Sequence, residues 1–474
     1  MTEQPDPAAL AGLDALADAP PLAGGPPAEP PPDAPPTGTV LRLVTGLAGR
    51  PLAVGRRTAA LAGQLLRVGL GTADPEPDLP GNPALSRLVQ AHRAGRATAA
   101  GLIDDAGLDQ ADRDRLDAVL TAVDDLVEAV VPGRRASAPP PRNARPAPVV
   151  GEEIAATPGA VVLRTPLFEL IQYLPRTETV RQVPVLLVPS LVNRHYLTDL
   201  APGRSLVEHL VAGGQQVFAL SWWNPRAEHA DRGLDAYARA VLDAMDACER
   251  VTRTSAVSLV ATGSGGTITA ALLAHLVAAG ATDRAATLTL LLPALGRARP
   301  APPPPIADPS AELLFWAADT TRVPAALHDD LTDIAARDAL AHAGAVRVLG
   351  TPIDLSKVDT DAYVVAGEDG PWPSAYRSAR LLAGDTRFTL ASGGPVEALI
   401  APPGSDRTFR AAPATPADPD TWHTTAIPLP GSWWTDHLRW LDQRSGARVD
   451  APPELGGRGL HAVAPTPGDY VLSR

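Results

Sequence analysis

Ser258-Leu259-Val260-Ala261-Thr262-Gly263-Ser264-Gly265-Gly266-Thr267 decides the reading of this chain. An apolar run ends in a glycine-rich turn, and an Ala/Leu stretch follows at once. That is the layout of a nucleophile elbow: a strand, a strained turn that lifts one side chain above a sheet, then a helix. Ser264 is the hydroxyl candidate inside the turn, with Gly263 before it and Gly265 after it. Whether a nucleophile exists depends on which residue is the apex.

Working outward, the elbow strand is one of several short apolar runs. They are VVLRT near 161, VPVLLVP at 183–189, QVFALSW at 216–222, AVSLVA at 256–261, LTLLLP at 288–293, DAYVVAG at 361–367 and RFTLAS at 387–392. Runs apolar throughout, rather than alternating, predict strands buried on both faces of a mostly parallel sheet. Helices are expected between them at 204–213, 234–253, 267–280 and 374–383. Sites in such sheets lie at the carboxyl ends of strands, which selects 190–196, 262–266 and 367–372.

The flanks differ in texture. Residues 1–38 are Pro, Ala, Gly and Asp without a period, a composition that predicts disorder. Residues 39–148 read as a helical region ending in a Pro-rich linker from 132. Within it, 39–72 carries Arg42, Arg50, Arg56, Arg57 and Arg67 and no acidic residue. A basic apolar helix of that kind can lie on a membrane or lipid-coated surface, or pack on its own domain or a partner. Asp109–Asp125 reads as a solvated helix face rather than a metal site. Residues 149–474 form the α/β domain.

A net charge of −12 argues against a nucleic-acid binder. One cysteine, Cys248, excludes an internal disulfide and a multi-cysteine metal site and fits a reducing cytoplasm. The N-terminus MTEQPDPAAL has no signal-peptide pattern, and no apolar run reaches 18 residues, so neither a secreted chain nor a spanning helix is expected. Nothing calls for a cofactor.

Several segments together resemble the poly(3-hydroxyalkanoate) synthases. TPGAVVLRTPLFELIQY at 157–173 is similar to the entry of that family's catalytic domain, and VLLVPSLVNRHYLTDLAPGRSLVEHLVAGGQQVFALSWWNP at 185–225 to the strand–helix–strand after it. LLFWAADTTRVPAALH at 313–328, GTPIDLSKV at 350–358, EDGPWPSAY at 368–376 and PGSWWTDHLRWL at 430–441 extend the likeness. The resemblance implies an α/β-hydrolase fold and a Cys–His–Asp triad, in which a thiolate attacks a hydroxyacyl-CoA thioester and carries the polyester chain. Carried over by motif, the nucleophile falls on Gly263, the acid on Asp369 and the base on Gly394, in Ser392-Gly393-Gly394. Two of the three positions are glycine. The family's helical cap is reduced to a Pro-rich segment at about 293–312, and Trp223 stands where an arginine is usual.

Other candidates carry a plainer reading beside the chemical one. Ser264 is the alternative nucleophile of an acyltransferase, esterase or polyester synthase; its plain reading is a cap on the helix that follows. Cys248 lies on the helix before the elbow strand and reads as a small apolar group. His195 sits near the oxyanion region but reads as structural, and Asp369 as an acceptor of N–H bonds in its own loop. The leading expectation is a family member without catalysis that binds, scaffolds or regulates. Its candidate partners are an active synthase, a second copy of the chain, a polyester granule or membrane reached through 39–72, and an acyl-CoA ligand. Its place is the cytoplasm, with granule association.

Overall fold

The runs singled out from the sequence pair into one sheet because each is apolar along its length and can bury both faces. In the computed structural model the described residues are 147–295, 310–412 and 415–473. The chain divides into two units, Met1–Arg142 and Asn143–Arg474, and the described residues all lie in the second. The expectations for 1–38, for the helical region and linker at 39–148 with its basic segment 39–72, and for most of the shortened segment at 293–312 lie outside the described residues.

The sheet strands are β1 Gly159–Arg164, β2 Phe168–Tyr173, β3 Val185–Val188, β4 Val217–Trp222, β5 Val257–Thr262, β6 Ala285–Leu291, β7 Ala362–Gly367, β8 Thr386–Ala391, β9 Thr408–Ala411, β10 Ile427–Pro430 and β11 Ala464–Pro465. Their order across the sheet is β10-β9-β8-β7-β6-β5-β3-β4-β2-β1-β11. Neighbours from β8 to β4 run parallel. The margins, from β8 to β10 and from β4 to β11, are antiparallel. A parallel centre with β3 and β4 exchanged in order, bounded by antiparallel β2, is the α/β-hydrolase fold that the resemblance implied.

Helices α1 Leu206–Ala212, α2 Leu234–Thr252, α3 Ser264–Ala278, α4 Ala311–Ala318, α5 Ala325–Arg337, α6 Trp372–Ala379, α7 Pro395–Ile400, α8 Pro419–Thr425 and α9 Trp433–Asp442 connect the strands. The core is two apolar clusters, one on each face. Val257, Leu259 and Ala261 of β5 join the cluster containing α2 and α3, whereas Val260 between them joins that of α1 and α9, as the period of two requires. Helix α3 is Ala/Leu-rich and buried nearly all round, so it lies against the sheet centre. Helix α9 buries Trp433, Trp434, His437, Trp440 and Leu441 on one stripe. Its periodicity was not among the helices expected from the sequence, nor was that of α5.

No helix among the described residues is long and apolar enough to cross a membrane.

Candidate functional site

Strand β5 ends at Thr262 and α3 begins at Ser264, so Gly263 alone makes the turn. Its backbone sits at φ +52° and ψ −120°, a region where L side chains are strained and glycine is not. The conformation is held from both sides. Gly263 N–H donates to Leu291 O at 3.0 Å, and Gly266 N–H donates to Gly263 O at 2.9 Å. A Cβ here would lie 3.5 Å from Ser190 Oγ, an ordinary contact. The apex of the elbow is therefore Gly263, with room for a side chain it lacks. Gly265 has a different role: a Cβ there would come within 2.6 Å of Val188 O, because the first turn of α3 rests on the end of β3.

Ser264 lies one residue past the apex and points elsewhere. Its Oγ accepts from Leu191 N–H at 3.0 Å and meets Ser190 Oγ at 3.1 Å. No histidine is among its hydrogen-bond partners. The expectation that Ser264 caps α3 is corrected. The N-cap is Gly263, without a side-chain cap, and Ser264 instead ties the elbow to the loop after β3. In this fold one N–H from that loop helps to form the oxyanion hole; the Leu191 N–H is bound to Ser264.

The loop itself is fastened to the segment from residue 316 to 321. Thr321 N–H donates to Val192 O at 2.7 Å, Trp316 Nε1 to Arg194 O at 3.0 Å, and Tyr196 OH to Asp319 Oδ2 at 2.7 Å. The buried Arg194 guanidinium reaches Asp319 Oδ1 at 3.3 Å and donates to Tyr470 O and Ser473 O. His195 beside it is 5% exposed, with neither ring nitrogen hydrogen-bonded. Burial, helped by the Arg194 charge, pushes its imidazole down to about 4. It is a neutral core side chain packed edge-on to Tyr196.

Asp369 and Gly394 follow β7 and β8, two and three strands along the same sheet edge from β5. At a strand spacing of about 4.8 Å the strands β7 and β8 themselves run roughly 10 and 14 Å from β5. Their loops interlock: Asp369 N–H donates to Gly393 O at 3.1 Å, and a Cβ on Gly367 would lie 2.8 Å from Pro395 N and Gly394 O. The Asp369 side chain is exposed. The expected acceptance of loop N–H groups by its carboxylate is corrected: among the described residues it makes no hydrogen bond, and the backbone N–H does the tying. Gly394 is the N-cap of α7, and its side-chain space is taken by the Glu397 carboxylate.

Two histidines distant in sequence do enter the domain. His423 returns to the neighbour of Asp369, with Nε2 at 3.7 Å from Glu368 Oε1 and its ring stacked on Trp372. His437 lies under the sheet, Nε2 at 2.9 Å from Thr289 Oγ1, among Tyr363, Trp433 and Trp440. Burial pushes it down to about 3, with His209 adding. Cys248 is fully buried on α2 and its thiol is pushed well up. Trp223, in place of the usual arginine, packs on Tyr470 at 4.7 Å. Two cavities, of about 540 Å³ beside Trp434 and about 440 Å³ beside Asp330, involve none of Gly263, Asp369 and Gly394. No group of His, Cys, Asp and Glu among the described residues is arranged to hold a metal ion.

Glu397 and Arg407 were missed in the sequence. The first carries a visible signal: Gly394-Pro395-Val396-Glu397 has proline at the first helical position and glutamate at the third, the signature of a helix start.

Known proteins resemble this chain in sequence. Residues 141–210 match the family described as "Poly-beta-hydroxybutyrate polymerase (PhaC) N-terminus". The chain is 32% identical to poly(3-hydroxyalkanoate) polymerase 2 of Ectopseudomonas oleovorans over 90% of its own length and 92% of that protein. It is 31% identical to the poly(3-hydroxyalkanoate) polymerase subunit PhaC of Cupriavidus necator over 69% of this chain and 65% of that one. Among solved structures, a soluble variant of monoglyceride lipase from Saccharomyces cerevisiae is similar with a TM-score of 0.40 at 14% identity, covering 65% of this chain and 99% of that one. The β3–β8 parallel sheet with its elbow, and a relative 32% identical over nine-tenths of the sequence, make this chain a member of the poly(3-hydroxyalkanoate) polymerase family.

Proposed function

We propose that this member of the polymerase family does not catalyse polymerisation and serves as a binding, scaffolding or regulatory partner in polyester or acyl-CoA metabolism. One observation carries the reading. The elbow keeps its strained backbone, φ +52° and ψ −120°, at a residue with no side chain, Gly263. Loss of a triad nucleophile or base costs about a millionfold in rate, and Gly394 stands at the second position. Ser264 does not replace the nucleophile, because its hydroxyl is spent on Leu191 N–H and Ser190.

The retained role is read from the surfaces the fold preserves. An eleven-stranded sheet covered on both faces, beside an elbow without a reactive side chain at its apex, supports recognition over turnover. The basic segment 39–72 supplies the contact to a polyester granule or membrane. An active polymerase of the same family, a second copy of the chain and an acyl-CoA are the other partners the reading admits.

Incubation of the purified full chain with 3-hydroxybutyryl-CoA, with released CoA followed by a thiol reagent, tests the first half. No release above the protein-free rate is expected, and sustained turnover removes the proposal. Co-sedimentation with polyester granules tests the second half. Retention that is lost when 39–72 is deleted supports it, and equal retention of both proteins overturns the assignment of that segment.

A further inference from the structure

We infer that Glu397 holds the base position shut, so that the loss at Gly394 is locked in by a second residue. The inference rests on the reading that residue 394 stands where the family's base stands. A Cβ on Gly394 would overlap Glu397 Oε2 and lie 3.3 Å from Glu397 Cδ. The carboxylate therefore occupies the volume through which any side chain at 394 would leave the backbone. Glu397 is 4% exposed, so its flexible carboxylate end makes way only by repacking against its neighbours. A displaced carboxylate would have to find new partners in the interior, which is costly for a charged group.

The backbone cannot give way either. Ala398 N–H donates to Gly394 O at 2.9 Å, and Asp369 N–H donates to the preceding Gly393 O at 3.1 Å. From below, Cβ atoms on Gly367 and Gly370 would lie 2.8 and 2.7 Å from atoms of Pro395. On the other side, Gly393 at φ +96° leaves its side-chain space to the Arg407 guanidinium, 2.5 Å from where a Cβ would be. A carboxylate and a guanidinium thus stand over two adjacent glycines. The segment has not been emptied of a side chain. It has been refilled from α7 and from the residue just before β9.

A thiol titration reads this directly. Gly263→Cys introduces a thiol at the elbow, and the native Cys248 is fully buried and silent to alkylation. Iodoacetamide alkylation is followed against pH by mass spectrometry in Gly263→Cys, in Gly263→Cys/Gly394→His, and in the latter with Glu397→Ala. The double variant is expected to alkylate like the single one. In the triple variant an imidazole reaches the thiol, the inflection falls by a unit or more, and the rate at pH 6.5 rises about tenfold. A shifted profile already present with Glu397 in place overturns the inference.

Melting temperatures separate the packing claim from the ancestry. Gly394→Ala is expected to lower the melting temperature in the native background and to lower it by less than half as much beside Glu397→Ala. Equal losses in both backgrounds overturn the role of Glu397. Coupled losses with an unshifted thiol in the folded triple variant keep Glu397 as the obstacle and overturn instead the placement of residue 394 as the base position.

Discussion

At the elbow three adjacent residues have three separate physical duties. Gly263 takes a conformation that strains other residues, Ser264 supplies an acceptor, and Gly265 permits contact with β3. Gly263→Ala meets only Ser190, at ordinary distance, so its cost is backbone strain of about 1–3 kcal/mol. Gly265→Ala must push backbone carbonyls of β3 aside, which costs as much or more, about 1–3 kcal/mol for overpacking plus the lost seating of α3. Denaturant melts of the two variants should rank them in that order; the reverse ranking would place the apex at 265. Ser264→Ala strands the Leu191 N–H and should cost about 1–3 kcal/mol, and native protein should take no fluorophosphonate label at Ser264. Labelling that Ser264→Ala abolishes would return Ser264 to the list of nucleophiles. The register of the elbow came from the family resemblance, since the residues alone left Gly263 and Ser264 open. The elbow itself was legible in the sequence because an apolar run ending in glycines dictates strand, turn and helix. The partner of Ser264 was not, because Leu191 is 73 residues away.

At the scale of elements, the helices of one face bring ionisable groups into an apolar layer. Helix α9 places His437 between Tyr363 and Trp440, and the turn after β3 buries His195. Both imidazoles are held well below 6.5, at about 3 and about 4. The unfolded chain therefore binds more protons than the folded one between pH 6.5 and those values. Stability is fully present above pH 6.5 and falls as pH falls through that window, by about 2 kcal/mol per imidazole at pH 5. Asp199 works the other way, since burial raises its carboxyl despite bonds from Thr157 and Ser205. The difference between chains isolates the histidine. His437→Phe should flatten the decline of melting temperature between pH 7 and 5, and an unchanged slope would mean that His437 is charged in the folded state. Strands β3 to β8 were readable in advance, because unbroken apolar runs leave few alternatives. Helices α5 and α9 were not. The tryptophans and charged residues of α9 read as a motif until the sheet supplied a face for Trp433, Trp434 and Trp440 to cover.

At the scale of the molecule, the C-terminal segment joins the first strands to the loop above the elbow. Strand β11 pairs with β1, Tyr470 N–H donates to buried Glu169, and Arg194 donates to Tyr470 O and Ser473 O. Removing residues 468–474 takes the Tyr470 N–H from Glu169 and two backbone carbonyls from Arg194, 0% and 5% exposed, while Arg164 and Asp319 stay as their ion partners. A hydrogen bond from a neutral partner to a charged group contributes about 1.5–3 kcal/mol. The truncated chain should melt several degrees lower and be cut faster by protease near 190–196; an unchanged melt would show the tail to be decoration. By itself the sequence determined the strand–turn–helix order and the lack of a thiol in the turn, which follow from local pattern and residue identity, and through the family resemblance it placed the apex on Gly263. Only the tertiary structure decided what fills the space around that site: Ser264 bound to Leu191, His423 returned to Glu368, and the Glu397 carboxylate over Gly394. A backbone conformation is set by its immediate neighbours, whereas the occupant of a vacated side-chain volume is set by whatever distant segment the packed sheet brings against it.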